Sequence, residues 1–456
     1  MSTLVVDGAH IAPVRGQEHV SGHIVVVDGR ITTVAAGPAP PLPHAEYVDG
    51  SGCLATPGLV NTHHHLFQWA TQGLATDGTL FEWLTTLYPV WARLDPTIVH
   101  QTTTAGLTWL ALSGCTTASD HHYLYPGGRR TAAEITAAQV DAARAVGVRV
   151  DLARGSMDRG ETDGGLPPDD VVETLSEALE ATTEAIDLHH DPAADAMVRV
   201  SVAPCSPFTV SRDLMTQTAA LARDRGVRMH THLAETEDEE QQCLREFGVT
   251  PVSYAEKLGW VGEDVWLAHA VHLADDAVAV LGATGTAVAH CPTSNGRLGV
   301  GICRVPELLD AGVPVGLGVD GPASSELTGL AGEMHQAVLM ARARRGPQAL
   351  TARQALELAT LGGARCLGRG TDLGSLEPGK LADIALWRVD GFGHDSVADP
   401  VTALVFGPPP PLERLLVGGR TVVSAGEPVT VSSAAAARAG RAAHDAMNEP
   451  TTRKTP

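Results

Sequence analysis

Eight strand-like segments alternate with Ala-rich, helix-like segments along the chain, and this alternation constrains the fold more than any other feature. The strand candidates are short apolar runs at residues 54–61, 115–120, 148–154, 198–203, 227–232, 265–269, 286–290 and 313–320. Helix-like segments at 131–146, 175–186 and 213–225 lie between many of them. The pattern predicts an α/β fold, a closed (β/α)8 TIM-like barrel. An open doubly wound sheet is the alternative, but no G-x-G-x-x-G sequence opens any of these units.

Short strand-like segments also lie towards both ends of the chain. They cover residues 3–7, 22–28 and 31–35 before the barrel, and 382–387 and 415–423 after it. Because glycine-containing turns separate them, the two sets are expected to pair into one small β-sandwich. The predicted domains are 1–56 (first part of the sandwich), 57–370 (barrel), 371–430 (second part) and 431–456 (a helix at 431–446 and a tail that frays from residue 448).

The composition indicates a large core and a reducing compartment. Of the 456 residues, 44% are hydrophobic and 19% are charged, and the formal net charge is −21. Such an acidic chain is not expected to bind nucleic acid or an anionic membrane, because phosphate groups are bound by clustered basic side chains. The seven cysteines form no C-x-x-C pair, the first residues lack a signal-peptide pattern, and no apolar run reaches membrane-spanning length. A cytoplasmic protein is therefore expected.

The first barrel strand leads directly into three consecutive histidines. The segment from Pro57 to His65 reads PGLVNTHHH. Side chains i and i+2 of an extended segment point to the same side, so His63 and His65 project together and His64 points away. Two converging imidazoles suit a cation such as zinc. Three histidines on a surface loop, without a ligand, are the alternative.

Other strand candidates also end in ionisable residues. His232 ends the fifth, with Glu235 three residues later, His269 ends the sixth and Asp320 ends the eighth. The carboxyl ends of barrel strands meet at one mouth, where barrel enzymes carry their catalytic groups. The pattern therefore predicts a functional site at that mouth.

These motifs resemble the signature of the amidohydrolase superfamily. P-G-x-x-N-x-H-x-H, H-x-x-E, the strand-6 histidine, the strand-8 aspartate and the segment GSLEPGKLAD at 374–383 are all present. The resemblance covers most of the chain and implies one divalent metal ion, held by His63, His65, His232 and Asp320. Zinc is expected for three imidazoles and a carboxylate, with Fe²⁺ or Mn²⁺ as alternatives.

The resemblance also implies the roles of the remaining polar residues. Glu235, His269 and Asp320 are expected to act on substrate and water. Some members of the superfamily bridge two metals with a carboxylated lysine on the fourth strand. The chain has only three lysines, and none lies in the fourth-strand segment at 198–205. A single-metal site, as in the deaminase branch, is therefore expected.

Longer segments at 86–94, 113–124, 154–157, 203–208 and 230–236 resemble the deaminases and triazine hydrolases of the superfamily. This resemblance implies a hydrolytic deaminase of a small heterocycle, with conversion of 8-oxoguanine to urate and ammonia as the first expectation. Guanine, isocytosine, a pterin or an aminotriazine stay open, as does a triazine-type hydrolase with another leaving group. A metal-binding barrel without turnover is a further alternative, which the intact set of polar residues disfavours. Relatives also imply a homo-oligomer.

Candidate substrate contacts follow from the needs of a flat, polar ring, which are aromatic walls and a few fixed donors and acceptors. Trp83 belongs to an aromatic-rich segment that forms either a wall or a helix core. Gln68 offers a donor and an acceptor, and Cys205 is expected to line the pocket. His122 is expected to face the pocket, with His121 or neither histidine as alternatives.

One segment departs from the pattern of the relatives. After the strand-8 aspartate the chain reads DGPASSE at 320–326, so an amide is missing and an acid is displaced to Glu326. The departure bears on the substrate and leaves the predicted metal ligands unchanged.

Overall fold

The computed structural model describes residues 2–326 and 329–448. It confirms an α/β barrel with an extra sheet built from the terminal segments. The strands are β1 (Thr3–Ile11), β2 (His19–Val27), β3 (Arg30–Ala36), β4 (Glu46–Asp49), β5 (Cys53–Pro57), β6 (Leu59–Asn61), β7 (Cys115–His122), β8 (Arg149–Ser156), β9 (Val198–Pro204), β10 (Met229–Leu233), β11 (Val265–His269), β12 (Ala287–His290), β13 (Val315–Leu317), β14 (Ile384–Arg388), β15 (Leu412–Val417), β16 (Arg420–Ser424) and β17 (Glu427–Pro428).

Helices connect and cover these strands. They are α1 (Leu80–Trp91), α2 (Pro96–Leu112), α3 (Arg129–Val146), α4 (Leu175–His189), α5 (Arg212–Arg225), α6 (Glu237–Phe247), α7 (Pro251–Lys257), α8 (Asp275–Thr284), α9 (Pro292–Arg297), α10 (Val305–Asp310), α11 (Pro322–Ser325), α12 (Leu330–Arg345), α13 (Ala352–Glu357), α14 (Gly363–Cys366), α15 (Pro400–Phe406) and α16 (Ser433–Asn448).

Local sequence signals explain where several helices begin and end. α1 and α4 start with capping boxes, in which Thr79 pairs with Glu82 and Thr174 pairs with Glu177. α3 ends at Gly147, whose φ of 83° favours glycine. The helices cover the outside of the barrel, and strands β7, β10 and β11 are buried along their whole length.

Strands β6 to β13 form an eight-stranded parallel sheet in sequential order. Hydrogen bonds across the seam bring its first and last strands together. The Thr62 N–H donates to the Leu317 carbonyl (3.0 Å), and the Asp320 N–H donates to the His63 carbonyl (3.0 Å). The seam therefore sets the segment after β6 beside the segment after β13, which is where the predicted metal ligands lie.

The other nine strands form one accessory sheet, in the order β17-β16-β15-β14-β5-β1-β2-β3 with β4 paired to β1. Its two halves come from opposite ends of the chain and meet where β5 pairs antiparallel with β14. Val6, Ile24 and Leu386 lie in the apolar cluster of this sheet. The predicted pairing of the terminal segments is confirmed, while the predicted domain boundaries stay predictions.

The first predicted strand, at residues 54–61, is two strands in the structure. β5 ends at Pro57 in the accessory sheet, and β6 begins at Leu59 in the barrel. Between them, the Gly58 N–H donates to the Asp383 carbonyl (2.8 Å), and a Cβ at Gly58 would lie 2.3 Å from Thr116 Cγ2. The close approach requires glycine, and the apolar pattern did not indicate this break.

The predicted C-terminal helix is α16, which extends two residues beyond its expected end. It lies against the segment that follows the metal-site histidines, because His444 Nδ1–H and Asn448 Nδ2 both donate to the Ala70 carbonyl (2.9 and 3.2 Å). The rest of the predicted tail lies outside the described residues. Among the described helices, none combines the length and apolar character needed to span a membrane.

Candidate active site

Polar side chains from four strand ends meet at the mouth of the barrel. His63 and His65 follow β6, His232 lies in β10, His269 ends β11 and Asp320 follows β13. All five side chains are buried. The structure thus brings together the residues whose convergence the strand-end pattern predicted.

Three imidazole nitrogens and one carboxylate surround a common point. His65 Nε2 lies 3.2 Å from His232 Nε2 and 3.3 Å from Asp320 Oδ1, and His63 Nε2 lies 3.5 Å from the same oxygen. Ligand atoms held tetrahedrally at zinc-ligand distances of about 2.0–2.2 Å would be about 3.4 Å apart. The observed separations therefore suit a single cation of this size.

Backbone carbonyls orient two of these imidazoles. His65 Nδ1–H donates to the His121 carbonyl (2.5 Å), and His232 Nδ1–H donates to the Cys205 carbonyl (2.7 Å). With the proton on Nδ1, each ring keeps the lone pair of Nε2 towards the common point. Outer hydrogen bonds of this kind fix the tautomer of metal-binding histidines.

His63 is held by groups that the sequence pattern did not indicate. Its Nδ1–H donates to His230 Nε2 (2.7 Å), and His230 Nδ1–H donates in turn to the Trp266 carbonyl (2.8 Å). The side-chain oxygen of Asn61 accepts the His63 N–H (3.4 Å) and the Val319 N–H (3.0 Å). Asn61 therefore ties the segment that carries His63 to the eighth strand; its place in the P-G-x-x-N motif was the available signal.

Burial and crowding determine the charge state of the cluster. Burial lowers the pKa of His63, His65 and His232, and neighbouring imidazoles lower the pKa of His63 and His232 further. For Asp320, burial raises the pKa, but the imidazoles of His65 and His269 outweigh it and hold the pKa at about 2. Neutral imidazoles and an ionised carboxylate are the forms that bind divalent metals.

Two hydroxyl groups orient the Asp320 carboxylate. Ser294 Oγ donates to Asp320 Oδ2 (2.6 Å), and Ser324 Oγ donates to the same oxygen (3.3 Å). Ser324 belongs to the departing segment after the eighth strand, so a hydroxyl lies next to the site there. The displaced acid, Glu326, forms an ion pair with Arg297 (3.2 Å).

Glu235 and His269 form a possible proton-handling pair beside the cluster. Glu235 Oε1 lies 3.7 Å from His269 Nε2, and the Asn295 side-chain oxygen accepts the His269 Nδ1–H (2.9 Å). Burial raises the pKa of Glu235. Burial lowers the pKa of His269, but the Glu235 and Asp320 carboxylates outweigh it and raise the pKa. A carboxyl group with a raised pKa can hold a proton and release it nearby.

A second buried acid, Glu239, fixes the backbone that carries Glu235. Its two carboxylate oxygens accept the Ala234 N–H (2.8 Å) and the Glu235 N–H (2.9 Å). Burial raises the pKa of Glu239 to about 7. No motif singled out Glu239, because its position four residues after Glu235 looks like an ordinary acidic first helical turn.

Left-handed backbone conformations are concentrated at the strand ends of the site. Ala234, His269, Ala270 and Asp320 have φ values of 54°, 70°, 46° and 64°. Such conformations cost about 1–3 kcal/mol each in residues other than glycine and cluster at functional sites. Here they lie within or next to the groups that form the site.

A pocket opens above the cluster, and its lining includes His65, His232, Glu235, His269 and Asp320. Three of the predicted substrate contacts, Gln68, Trp83 and Cys205, line it. The Gln68 side-chain oxygen is buried and has no hydrogen-bond partner among the described residues, and Trp83 Nε1–H donates to the Ala323 carbonyl (3.2 Å). Burial raises the pKa of Cys205 to about 12, which keeps the thiol protonated at neutral pH.

His122 lies outside this pocket, so the structure does not bring it together with the other predicted substrate contacts. Its Nε2–H donates to the Leu124 carbonyl (2.7 Å), and it borders a small separate cavity together with Asp120. Strand alternation turns His121 inward instead, where its ring stacks on His232 at 4.7 Å. Because the end of β7 is a run of polar residues, the sequence showed no apolar face that would indicate which of the two histidines points into the pocket.

The donor set fits a metal ion. His63, His65, His121 and His232 offer ligand atoms within 4.8 Å of one another, and so do His63, His269 and Asp320. His63 Nε2 is buried and has no hydrogen-bond partner in the described residues. Since an unsatisfied buried polar atom is costly, a cation at the common point accounts for its orientation.

Comparison with known proteins shows the family. The sequence profile of the amidohydrolase family matches residues 54–422, a range that contains every site residue described above. The chain belongs to the amidohydrolase family. The predicted family and the predicted enzyme class, a hydrolase of carbon–nitrogen bonds, are confirmed.

Several known amidohydrolases and deaminases are similar along most of the chain. The 8-oxoguanine deaminase of Pseudomonas aeruginosa is 44% identical, over 94% of this chain and 95% of its own length. The isoxanthopterin deaminase of an unknown prokaryotic organism is 38% identical, over 86% of this chain and 85% of its own length. A crystal structure of the atrazine chlorohydrolase of Arthrobacter aurescens, complexed with zinc, superposes with a TM-score of 0.92 at 31% identity, over 97% of this chain and all of that one.

Proposed function

We propose that this amidohydrolase is a metal-dependent deaminase that converts 8-oxoguanine to urate and ammonia. One observation carries the proposal: the ε nitrogens of His63, His65 and His232 and the Asp320 carboxylate surround one point at the pocket floor, with Glu235 close by. The similarity to an 8-oxoguanine deaminase over nearly the full length supports the choice of substrate.

His63, His65, His232 and Asp320 would hold one divalent ion, with zinc as the first choice for this donor set. When bound, such an ion supplies Lewis acidity, which makes a water molecule acidic near neutral pH. The Asp320 carboxylate, ionised and fixed by Ser294, would accept a proton from water. These ligand assignments are part of the proposal.

Glu235 would carry protons between water and substrate. Its carboxyl group, whose pKa is raised by burial, would donate a proton to the ring nitrogen next to the amino-bearing carbon. Oxygen from water then bonds to that carbon, and the carbon–nitrogen bond to the amino group breaks. The Glu235 carboxylate would then pass a second proton from the water oxygen to the amino group, which leaves as ammonia. His269 Nε2 would hydrogen-bond the oxygen added to the ring.

The pocket lining supports a flat, polar substrate. Trp83 provides an aromatic wall, and the unpartnered Gln68 oxygen can accept a hydrogen bond from a ring N–H. The protonated thiol of Cys205 and the Ser324 hydroxyl lie at the same pocket. We propose that these four residues bind the ring.

A second candidate is a related hydrolase of a larger heterocycle, such as a pterin or an alkylated aminotriazine. An apolar part of the pocket wall favours it, formed by Leu80, Leu84, Leu166, Phe208 and Leu298. A purine with polar groups on every edge leaves such a wall without an apolar partner.

Release of ammonia, or of the alkylamine from the triazine, by purified, zinc-loaded protein tests the proposal. The panel contains 8-oxoguanine, guanine, isocytosine, isoxanthopterin and an alkylaminotriazine, and 8-oxoguanine is expected to have the highest kcat/KM. Glu235→Gln should lower kcat by about 10²–10⁴-fold, because general acid–base catalysis contributes that much, while the zinc content stays unchanged. The control is Glu237→Gln, an exposed acid two residues away. Highest activity with the pterin or the triazine would favour the second candidate, and near-normal turnover of Glu235→Gln would refute the proton-carrying role.

A further inference from the structure

The opposite end of the barrel carries a basic cleft that the proposed deaminase does not use. It measures about 710 Å³ and lies among the residues that precede β10 and β13, the start of β12 and the segment 361–380. Four basic side chains line it, from Arg15, Arg228, Arg365 and Lys380. This grouping is unusual in a chain with a net charge of −21 and only three lysines. We call this the basal cleft.

Arg228 lies in the basal cleft without a direct ion pair to any of the described residues. In the described part of the chain, its Nε–H donates to the Cys366 carbonyl (3.1 Å), and its guanidinium lies 5.8 Å from the Trp266 ring. No carboxylate there lies within ion-pair distance of it. Burial lowers the pKa of Arg228, and it outweighs the opposing effect of the more distant Asp151 and Asp264 carboxylates. Gly368 leaves room for the guanidinium, because a Cβ there would lie 3.0 Å from Arg228 Nη1.

The other three cations are only partly neutralised. Arg15 and Arg365 share one carboxylate, that of Glu357, at 3.3 and 3.5 Å, so the group of three keeps one positive charge. Lys380 pairs with Glu377 at 3.6 Å, and its Nζ also donates to two backbone carbonyls. Two of the four cations therefore lack an ion-pair partner of their own, Arg228 and one of the Arg15–Arg365 pair, and the Glu263 carboxylate in the lining leaves the basal cleft with a net charge of one positive.

Glu263 adds a hydrogen-bond acceptor to the basal cleft. Its carboxylate would repel a bare anion but accept hydrogen bonds from hydroxyl or amino groups. Guanidinium groups bind phosphate through several N–H donors at once, and Arg228 and Arg365 bring two such groups to the basal cleft. The volume of the basal cleft also exceeds what orthophosphate alone can fill.

We propose that the basal cleft binds a small organic phosphate that carries hydroxyl or amino groups. The phosphate contacts Arg228 and Arg365, and the O–H or N–H groups donate to Glu263. This site lies at the end of the barrel away from the candidate active site, and it does not depend on the proposed deaminase activity.

Isothermal titration calorimetry on the metal-loaded protein tests this site, with ribose 5-phosphate, orthophosphate and ribose as probes at equal ionic strength. Ribose 5-phosphate should bind most tightly, orthophosphate more weakly and ribose not at all. Arg228→Gln and Arg365→Gln should each weaken ribose 5-phosphate binding by about tenfold or more, as expected for loss of a hydrogen bond to a charged group. Arg223→Gln is the matched control, since Arg223 is an exposed arginine that pairs with Asp264 outside the basal cleft.

A third variant tests the acceptor. Glu263→Gln should strengthen orthophosphate binding and reduce the preference for ribose 5-phosphate. The site would be overturned if neither ribose 5-phosphate nor orthophosphate bound, or if Arg365→Gln kept the affinity of the unaltered protein for ribose 5-phosphate. The Arg365→Gln result decides this even if Arg228→Gln fails to fold. Equal affinity of the unaltered protein for ribose 5-phosphate and orthophosphate would overturn the role of Glu263.

Discussion

Which nitrogen of each imidazole carries the proton decides whether the candidate site can hold a cation. In His65 and His232 the proton is directed to Nδ1 by backbone carbonyls, and in His63 it is directed there by His230. A backbone carbonyl is an obligatory acceptor that a point mutation cannot remove. The strand backbone therefore helps to preset the binding form of two of the three rings.

The position of Glu235 is predicted to depend on Glu239. Glu239→Gln leaves one oxygen to accept two backbone N–H groups, so the turn that carries Glu235 should shift. A displacement of about 1 Å can lower turnover by about 100-fold, so kcat for ammonia release should fall by roughly 10–100-fold at unchanged zinc content. Glu237→Gln, on the exposed side of the same helical turn, should leave kcat unchanged. Equal kcat in the two variants would contradict the positioning role.

For single residues, the sequence pattern indicated those at strand ends but not those that reach the site through tertiary contacts. His63, His65, His232 and Asp320 were predictable because they lie at the ends of strand-like segments and match the motifs that resemble the amidohydrolase superfamily. Ser294 and Asn295 were not, because their hydrogen bonds to Asp320 and His269 join different strand ends.

Among the elements, the short helix α9 depends on α12. α9 carries Ser294 and Asn295 to the site, and the Glu333 side chain on α12 accepts the Thr293 N–H (3.1 Å). The other Glu333 oxygen is buried, and no group in the described part of the chain hydrogen-bonds to it. Burial raises the pKa of Glu333 to about 8, so the side chain is protonated at neutral pH.

This contact predicts a pH-dependent stability. Glu333 keeps its proton in the folded protein up to about pH 8, whereas the unfolded chain loses it near the ordinary value of 4.5. The free energy of unfolding should therefore fall as the pH rises between these values, by up to about 1.4 kcal/mol per pH unit from this group. Urea denaturation at pH 6 and pH 8 measures this change. The decrease in the free energy of unfolding between the two pH values should be smaller for Glu333→Gln than for the unaltered protein. Glu134→Gln, at an exposed acid, should keep the original decrease, and an equal decrease in all three proteins would contradict the prediction.

The longer elements could be predicted, but the short ones could not. Apolar alternation over many residues indicated the strands and helices such as α3, α4 and α5. α9 and α11 have six and four residues, which is too few for a helical period to stand out.

In the whole molecule, a buried ion pair joins the accessory sheet to the barrel. Arg149 in β8 lies 3.3 Å from Asp383 just before β14, and both side chains are buried. The same Asp383 oxygen accepts the Gly418 N–H (2.7 Å). The junction therefore holds two parts of the chain that are more than 200 residues apart in sequence.

Loss of this ion pair should destabilise the protein strongly. Asp383→Ala leaves the Arg149 charge buried and unpaired, which should lower the free energy of unfolding by about 3–5 kcal/mol. Asp390→Ala removes an exposed partner of Arg388 at 3.8 Å and should change it by less than about 1 kcal/mol. Chemical denaturation measures both, and a loss at Asp383 as small as that at Asp390 would contradict the role of the junction.

The barrel and the pairing of the terminal strands could be predicted from pattern alone, because each depends on repeated local features. The break at Gly58 and the Arg149–Asp383 contact could not, because each depends on packing between distant segments. A homo-oligomeric state and a cytoplasmic location stay predictions.

The central claim is that His63, His65, His232 and Asp320 hold one metal ion. A crystal of the zinc-loaded protein, measured above and below the zinc absorption edge, tests it most directly. The account predicts a single anomalous peak about 2.0–2.2 Å from His63 Nε2, His65 Nε2, His232 Nε2 and an Asp320 carboxylate oxygen. A peak bound by other residues, two peaks at the mouth of the barrel, or no peak there would contradict it.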